Sequence, residues 1–549
     1  MPDLATVQRY HQRSKHALNA YAAGPETLDW DAQPNPFRRY EGADLTPLPL
    51  LADDPATPWA QLFEPGRIAA RPLDIHSLGQ LFELSLALAA WKQAGPDRWA
   101  VRINPSSGNL HPTEGWLITQ QVPDIQDGVH HYAPHEHALE LRAAAVPCNV
   151  APQAWLALSS IHWREAWKYG ERAFRYTLLD TGHAVGALRY AAALCGWRLV
   201  PVPCDGASLA ALLGLSRDAD FGVAEREEPE LLFALRPATA VDNPQPWPTL
   251  HGAHWQGQAN RLDRHPMYRW PVIDEVAAAS QPRATTAPAA LAVATTAEPK
   301  SAPTAAVWPT PPRSATLAAT LIRQRRSAQR FDARARMPLT RLWPLLQALH
   351  PSRLPFDARP DAARVHVLLL AHRVDGLVPG AYLLPRSASG LAVMREAIGA
   401  VQHSQAVPNA PSDAPLLCLA ENPALAGTLR TLNCHQALGS DAILGFVLLA
   451  EFNPLGDASA YRERFHEAGL IGQALYLEAE ALGLRGTGIG CYFDDALHQL
   501  IGLAPAEAGS AALQSVYHFT VGVPLDDARI ATEAPYAHLR REPTGGPRV

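Results

Sequence analysis

Lysine is nearly missing from this chain: Lys15, Lys92, Lys168 and Lys300 stand against 43 arginines. Against that bias each surviving amine is informative. The net charge is −6, so no basic footprint argues for nucleic acid as a partner. No apolar run approaches the roughly 20 residues of a membrane span. Val365–Ala371 has the length of a core strand, and no membrane partner is expected. The opening segment lacks the basic-then-apolar order of a secretion signal. The six cysteines (148, 195, 204, 418, 434, 491) include no Cys-x-x-Cys pair and read as reduced thiols of a cytoplasmic protein, with no metal site. The length allows two or more domains, each with its own core.

What is present is a repeat. Residues 174–198 lie on 461–485 without a gap: Phe174 meets Tyr461, Gly182 meets Gly469, Leu188 meets Leu475 and Gly196 meets Gly483. Cys204 then meets Cys491, and Leu209–Leu215 echoes Leu497–Leu503 after a one-residue shift. The chain is a tandem of two related units.

Residues 1–66, rich in Pro and aromatics, read as an extension wrapped on the first unit. Leu73–Leu88 has helical spacing; Gly115–Thr119 and His130–Tyr132 read as strands, the second opening a hairpin into His137–Leu141. From about 276 to 314 the composition collapses to Ala, Thr, Pro and Ser, which predicts a disordered linker. A helix is expected at Leu317–Ile322 and another opening at Pro338, then strands at 365–371 and 381–384, the repeated helix, a strand into Gly486–Cys491, and a strand at Val516–Gly522. The boundaries drawn are 1–270, a linker over 271–315, and 316–549.

Four segments could carry chemistry. Pro105-Ser106-Ser107-Gly108-Asn109-Leu-His111-Pro112 is expected to follow a helix and to turn its backbone amides outward, as a nest for a polar or anionic group; an ordinary loop explains it equally well. Arg325-Arg326-Ser327-Ala-Gln329-Arg330 sets three guanidinium groups near one hydroxyl, which suits a phosphate monoester, although a solvated basic helix end reads the same way. Gly486-Thr487-Gly488-Ile489-Gly490 permits close backbone approach to a ligand, or tight packing, and is not a dinucleotide fingerprint. Lys168-Tyr169 places an amine beside a phenol, able to exchange protons if burial lowers the amine's pKa; a surface Lys beside a core Tyr is the alternative. Cys434-His435 reads as a strand whose adjacent side chains diverge, with a structural Cys. His130, His131, His135 and His137 match no zinc spacing and read as hairpin surface.

Together these segments resemble the nitroreductase superfamily, in particular the SagB/ThcOx-type dehydrogenases. Pro105–Pro112, His131–Glu140, Lys168–Tyr176, Tyr10–His16 and Leu28–Trp30 resemble that subgroup; Arg325–Phe331 and Gly486–Gly490 resemble the wider superfamily. The resemblance implies an α+β fold of two tandem nitroreductase-like domains, each a mixed, mainly antiparallel sheet flanked by helices, forming an intramolecular pseudo-dimer. It implies one FMN per chain. Arg325, Arg326, Ser327, Arg330 and Gly486–Gly490 from one half, and Pro105, Ser106, Ser107, Gly108, Asn109 and His111 from the other, would hold it. The complementary copies have decayed: Pro351-Ser-Arg-Leu-Pro replaces the Pro-Ser loop, no Arg-Arg-Ser stands near 60–72, and Leu199-Val-Pro-Val-Pro203 replaces the glycine strand. Lys168 and Tyr169 match the subgroup's catalytic pair, implying proton abstraction with hydride transfer to the flavin. The substrate is a small molecule or a peptide, and fusion leaves a monomeric chain sufficient. Two alternatives are an NAD(P)H-dependent nitro or quinone reductase and a non-catalytic flavin-binding scaffold.

Overall fold

The computed structural model describes residues 2–539 apart from 65, 241–246, 284–313, 360, 412–413, 453–454 and 504–511. In the first half, helix α1 (Pro2–Arg13) precedes α2 (Ile75–Glu83), whose N-cap Asp74 accepts from the Ser77 amide at 2.8 Å. Helix α3 (His162–Tyr169) runs into α4 (Ala173–Leu194), and α5 (Pro271–Ser280) follows the sheet. The central sheet runs, from one edge, Trp197–Pro201, Glu228–Pro237, Gln153–Ser160, Thr113–Gln120, Gly128–Ala133 and Ala138–Ala144, all antiparallel.

The second half repeats that order. Helices α6 (Ala318–Gln324), α7 (Leu342–Ala348) and α8 (Ala460–Ala481) accompany a sheet running Arg485–Ile489, Leu513–Gly522, Leu444–Glu451, Val365–Ala371, Gly380–Leu384 and Leu417–Glu421, again antiparallel. In each half the long helix lies between the third strand of that path and the edge strand. All 22 residues of α4 are buried, Arg175, Asp180, His183 and Arg189 among them.

The two long helices cross at their glycines. A Cβ on Gly182 would overlap the carbonyl oxygen of His466 and lie 2.9 Å from the Cα of Gly469. A Cβ on Gly469 would overlap the carbonyl oxygen of Leu179 and lie 2.9 Å from the Cα of Gly182. In the repeat register Gly469 is the counterpart of Gly182, and His466 of Leu179. The contact is therefore reciprocal, the relation that a twofold axis imposes on identical subunits. The counterparts Phe174 and Tyr461 likewise stack on one another, 1° from parallel.

The termini lock the halves together. From α1, His11 meets Gln514 at 3.2 Å. From the other end, Ala531–Glu533 pairs with Leu88–Ala94, and Tyr536 accepts from the Leu88 amide at 3.0 Å. Arg172 and Arg175 of the first half converge on Asp494 of the second at 2.9 and 2.7 Å, all three fully buried. Those two guanidinium groups hold the Asp494 carboxyl far below the usual range. Removing one partner of such a group typically costs about 3–5 kcal/mol.

Several expectations are corrected. The helix over 73–88 stops at Glu83, and Leu88–Ala94 is a strand paired with Asp97–Arg102, because its apolar run serves a ladder with alternating faces. The Pro105 loop consequently follows a strand. The segment from 271 is helix α5 rather than linker: Pro271 occupies the first turn, and Ile273, Val276 and Ala277 are buried at helical spacing. Residues 284–313 of the expected linker lie outside the described residues. Pro338 ends a two-residue bridge strand and caps a 3-10 turn, Leu339–Arg341, that leads into α7 at Leu342. Three of the four hairpin histidines are not surface: His130, His131 and His137 are fully buried, whereas His135 is partly exposed. His131 lies between Glu140 at 2.8 Å and Glu114 at 3.1 Å. Burial lowers its pKa, but the two carboxylates outweigh burial and raise it to about 9.

Candidate functional site

A cavity of about 1000 Å³ opens between the halves. The first half contributes Pro105–Asn109, His111, Tyr169, Tyr176, Asp180 and His183; the second contributes Arg325–Ser327, Gln329, Tyr476 and Thr487–Cys491. The Pro-Ser loop, the arginine motif and most of the glycine strand thus line one space, although more than 200 residues separate the first from the others.

The Pro-Ser loop is held from behind. The Ser107 amide donates to both oxygens of Asp180 at 3.1 Å, and its hydroxyl to Asp180 Oδ1 at 3.1 Å. The expected outward amide nest is therefore partly filled by a carboxyl of the protein itself. Asn109 and His111 have positive φ and hold one another through Nε2 and Oδ1 at 2.9 Å. Gly108 has φ +59°, and a Cβ there would lie 2.6 Å from the Tyr169 hydroxyl, so glycine is required twice over. Burial, and next the neighbouring Asp180, raise the Glu165 carboxyl well above its ordinary value; burial raises Asp180 to about 7.

The arginine motif is divided in its roles. Arg325 is buried; its Nε donates to the Ile103 carbonyl at 3.1 Å and one terminal nitrogen to the Arg102 carbonyl at 3.2 Å. Its other terminal nitrogen is buried with no protein partner among the described residues. Arg326 gives three of its five N–H donors to the carbonyls of Arg323, Arg325 and Ala89. The Gly488 amide donates to the Tyr476 hydroxyl at 3.0 Å, and that hydroxyl and Ser327 Oγ share a hydrogen bond at 2.8 Å. Ser327 is exposed. Arg330 is exposed and outside the cavity wall, because the chain turns there to pair Phe331 with Pro524. Gln329, which carried no expected role, is in the wall instead.

The glycine strand serves packing first. A Cβ on Gly486 would meet the Phe519 ring at 2.5 Å and the Tyr476 ring at 3.3 Å, and one on Gly488 or Gly490 would overlap Tyr517 or Tyr176. Gly486 does not line the cavity, whereas Thr487, Gly488, Ile489 and Gly490 do. The Lys168-Tyr169 pair is also split. Tyr169 lines the cavity, and burial, then Glu165, raise its pKa well above 10, so the phenol stays protonated. Lys168 lies outside the wall, its amine 5.2 Å from the Trp30 ring centroid and 5.4 Å from that of Tyr169; burial lowers its pKa. Cys434 and His435 are not in a strand: both have positive φ, in a turn after helix Leu425–Leu432.

Residues missed from the sequence complete the site. His183 is kept neutral by burial, its pKa lowered to about 3, and meets Gln473 at 3.3 Å and Tyr517 at 3.0 Å across the junction. Lys92, Arg485 and Asp526 form a charged rim with Arg326, and Arg485 pairs with Asp526 at 2.7 Å. The signal was available at repeat positions where the copies differ: His183 faces Leu470 in register, and Arg189 faces Tyr476. At the mirror-related position, around Pro351, the space is about 330 Å³, and Arg386 pairs there with Glu467, the counterpart of Asp180.

Residues 322–522, in the second half, match the model of the Nitroreductase family. A crystal structure from Anabaena variabilis, assigned by name to the nitroreductases, aligns with 95% of this chain and 99% of its own at 18% identity and a TM-score of 0.67. At that identity the likeness shows the fold. A protein of Methanocaldococcus jannaschii, also named as a nitroreductase, is 28% identical over 100 residues, 16% of this chain. The match spans about half of that relative's length. No helix among the described residues is long and apolar enough to cross a membrane, and no group of His, Cys, Asp and Glu among them could hold a metal ion.

Proposed function

We propose that the chain is an FMN-dependent oxidoreductase of the SagB-type dehydrogenase group, an intramolecular pseudo-dimer that holds one flavin between its halves and works in the cytoplasm on a small-molecule or peptide substrate. One observation carries the reading: Ser106–Asn109 of the first half and Arg325–Ser327 with Thr487–Gly490 of the second line a single cavity of about 1000 Å³. Its size and its mixed wall suit a cofactor of that kind. The fit is supported by unspent polar atoms: one terminal nitrogen of Arg325, His111 Nδ1 and Asn104 Oδ1 are buried there without a protein partner among the described residues. Arg326, Lys92 and Arg485 suit the phosphate, and Arg325 with Ser327 the polar body.

Bound FMN would supply the two-electron chemistry. The protein's part is position and proton transfer. Tyr169, protonated at neutral pH, donates into the cavity; Asp180, whose carboxyl titrates near pH 7, is the group there able to take a proton. Lys168 acts on Tyr169 from behind, through the ring face. The experiment is a comparison of two substrates under anaerobic conditions. A peptide thiazoline that bleaches the flavin and loses two hydrogens per ring supports the dehydrogenase. Bleaching by NADPH with reduction of a nitroaromatic, and none by the thiazoline, overturns it in favour of the reductase, the reading that the names of the matched relatives favour.

A further inference from the structure

Cys434 and Cys491 lie far apart in sequence but share the wall of the central cavity. Cys434 sits in a turn at φ +52°, a conformation uncommon for a residue with a Cβ. Cys491 follows the glycine strand, Arg485–Ile489. The Phe493 amide donates to the Leu432 carbonyl at 2.8 Å, and Gln436 Nε2 to the Cys491 carbonyl at 3.2 Å, clamping the two segments side by side. The two sulfurs share this wall close enough to interact, and neither forms a disulfide.

Three further groups face the Cys491 sulfur. His16 Nδ1 accepts from the Ala22 amide at 2.9 Å, so a neutral ring carries its proton on Nε2, which is free to donate to Cys491. Burial lowers the pKa of His16, which keeps the ring neutral. Arg172 donates to the Gly490 carbonyl at 3.0 Å and brings a fixed positive charge to the adjacent residue. Tyr21, 58% exposed, lines the same cavity wall and lies 5.0 Å from the His16 ring. The Cys434 thiol, first, and then His16 and Arg172 pull the Cys491 thiol below its ordinary pKa; Cys434, the donor to that thiolate, is raised.

We propose that Cys434 and Cys491 form a second redox site, a reactive dithiol whose substrate class is low-molecular-weight disulfides. The Cys491 thiolate attacks one sulfur of the external disulfide; an S–S bond forms, the external S–S bond breaks, and one thiolate leaves. Cys434 then loses its proton and attacks Cys491 Sγ, forming the intramolecular disulfide and expelling the second thiolate. The protein is oxidised by two electrons, the external disulfide is reduced by two, and the two thiol protons end on the two released thiols. The step needs no flavin, so it stands or falls apart from the flavin reading.

The test uses the reduced full chain, oxidised glutathione as the probe, and peptide mapping by mass spectrometry. The expected product is a peptide cross-linked between Cys434 and Cys491. Cys434→Ser should trap glutathione on Cys491, and Cys491→Ser should leave both products absent. In the Cys434→Ser background at pH 6, adding His16→Ala should slow alkylation of Cys491 by iodoacetamide on the order of tenfold, the balance of thiolate fraction against nucleophilicity. Should Cys434→Ser disturb the fold by circular dichroism, Cys434→Ala gives the same reading. Glutathione found only on Cys148 or Cys204, or an alkylation rate indifferent to His16→Ala, overturns the proposal.

Discussion

Gly182→Ala is the substitution most sharply decided by the geometry. The added Cβ lies 2.9 Å from the Cα of Gly469 and overlaps the His466 carbonyl oxygen, both backbone atoms of α8. Carbon atoms rest at about 3.5–4.0 Å, so the helices must part by at least roughly 0.6 Å at their crossing. Overpacking of this kind costs about 1–3 kcal/mol, and more where backbone must move. Alanine returns about 1 kcal/mol of helix propensity, and because the atoms met here are backbone the cost sits at the top of that range or beyond, so the expected net is a loss of about 2 kcal/mol or more. Gly427 is the internal control: it lies in helix Leu425–Leu432, is exposed, and its Cβ would meet nothing within 4 Å. There the same change should stabilise by about 0.5–1 kcal/mol. Urea midpoints of the two variants should move in opposite directions. Because the α4–α8 crossing also sets the cavity wall through His183 and Tyr476, Gly182→Ala should weaken FMN binding as well. A Gly182→Ala midpoint at or above that of the parent would refute the close helix crossing.

Arg325→Lys keeps the charge but loses the planar fork, and FMN affinity, followed by fluorescence quenching, should fall about tenfold. Tyr169→Phe should retain flavin and lower turnover about 10²-fold, more than Lys168→Ala, since only Tyr169 lines the cavity; the reverse order would return the proton-transfer role to Lys168. Asp180 has a folded pKa of about 7 against an ordinary value of 3.8, so in that window the folded state binds more protons and its stability falls as pH rises. Asp180→Asn removes this, and its urea midpoint relative to the parent should climb from pH 5 to pH 8; a constant difference would contradict a carboxyl whose burial outweighs its Ser107 donors.

The repeat was legible because its helices are buried on all sides, which keeps Gly, Ala and Leu in register wherever the copies touch each other. The Pro-Ser loop and the arginine motif were legible because their residue types carry chemistry. The strand Leu88–Ala94 was not, because its apolar run reads equally as the end of a helix; only its pairing with Asp97–Arg102 decides. Arg330 failed for a local reason: a turn between Ser327 and Phe331 sends it to solvent and Gln329 to the cavity. Lys168 and Tyr169 are adjacent at the end of α3, where the chain leaves the helix at Gly170 and only the phenol reaches the wall. Asp180 and His183 look like ordinary helix residues, and their roles come from the partner half, which sequence spacing does not display.

A single composite site between two halves has one direct measurement. The full chain, saturated with FMN and freed of excess, is assayed by visible absorption against protein concentration. One flavin per chain is the predicted result; two flavins per chain, or none retained, would contradict it.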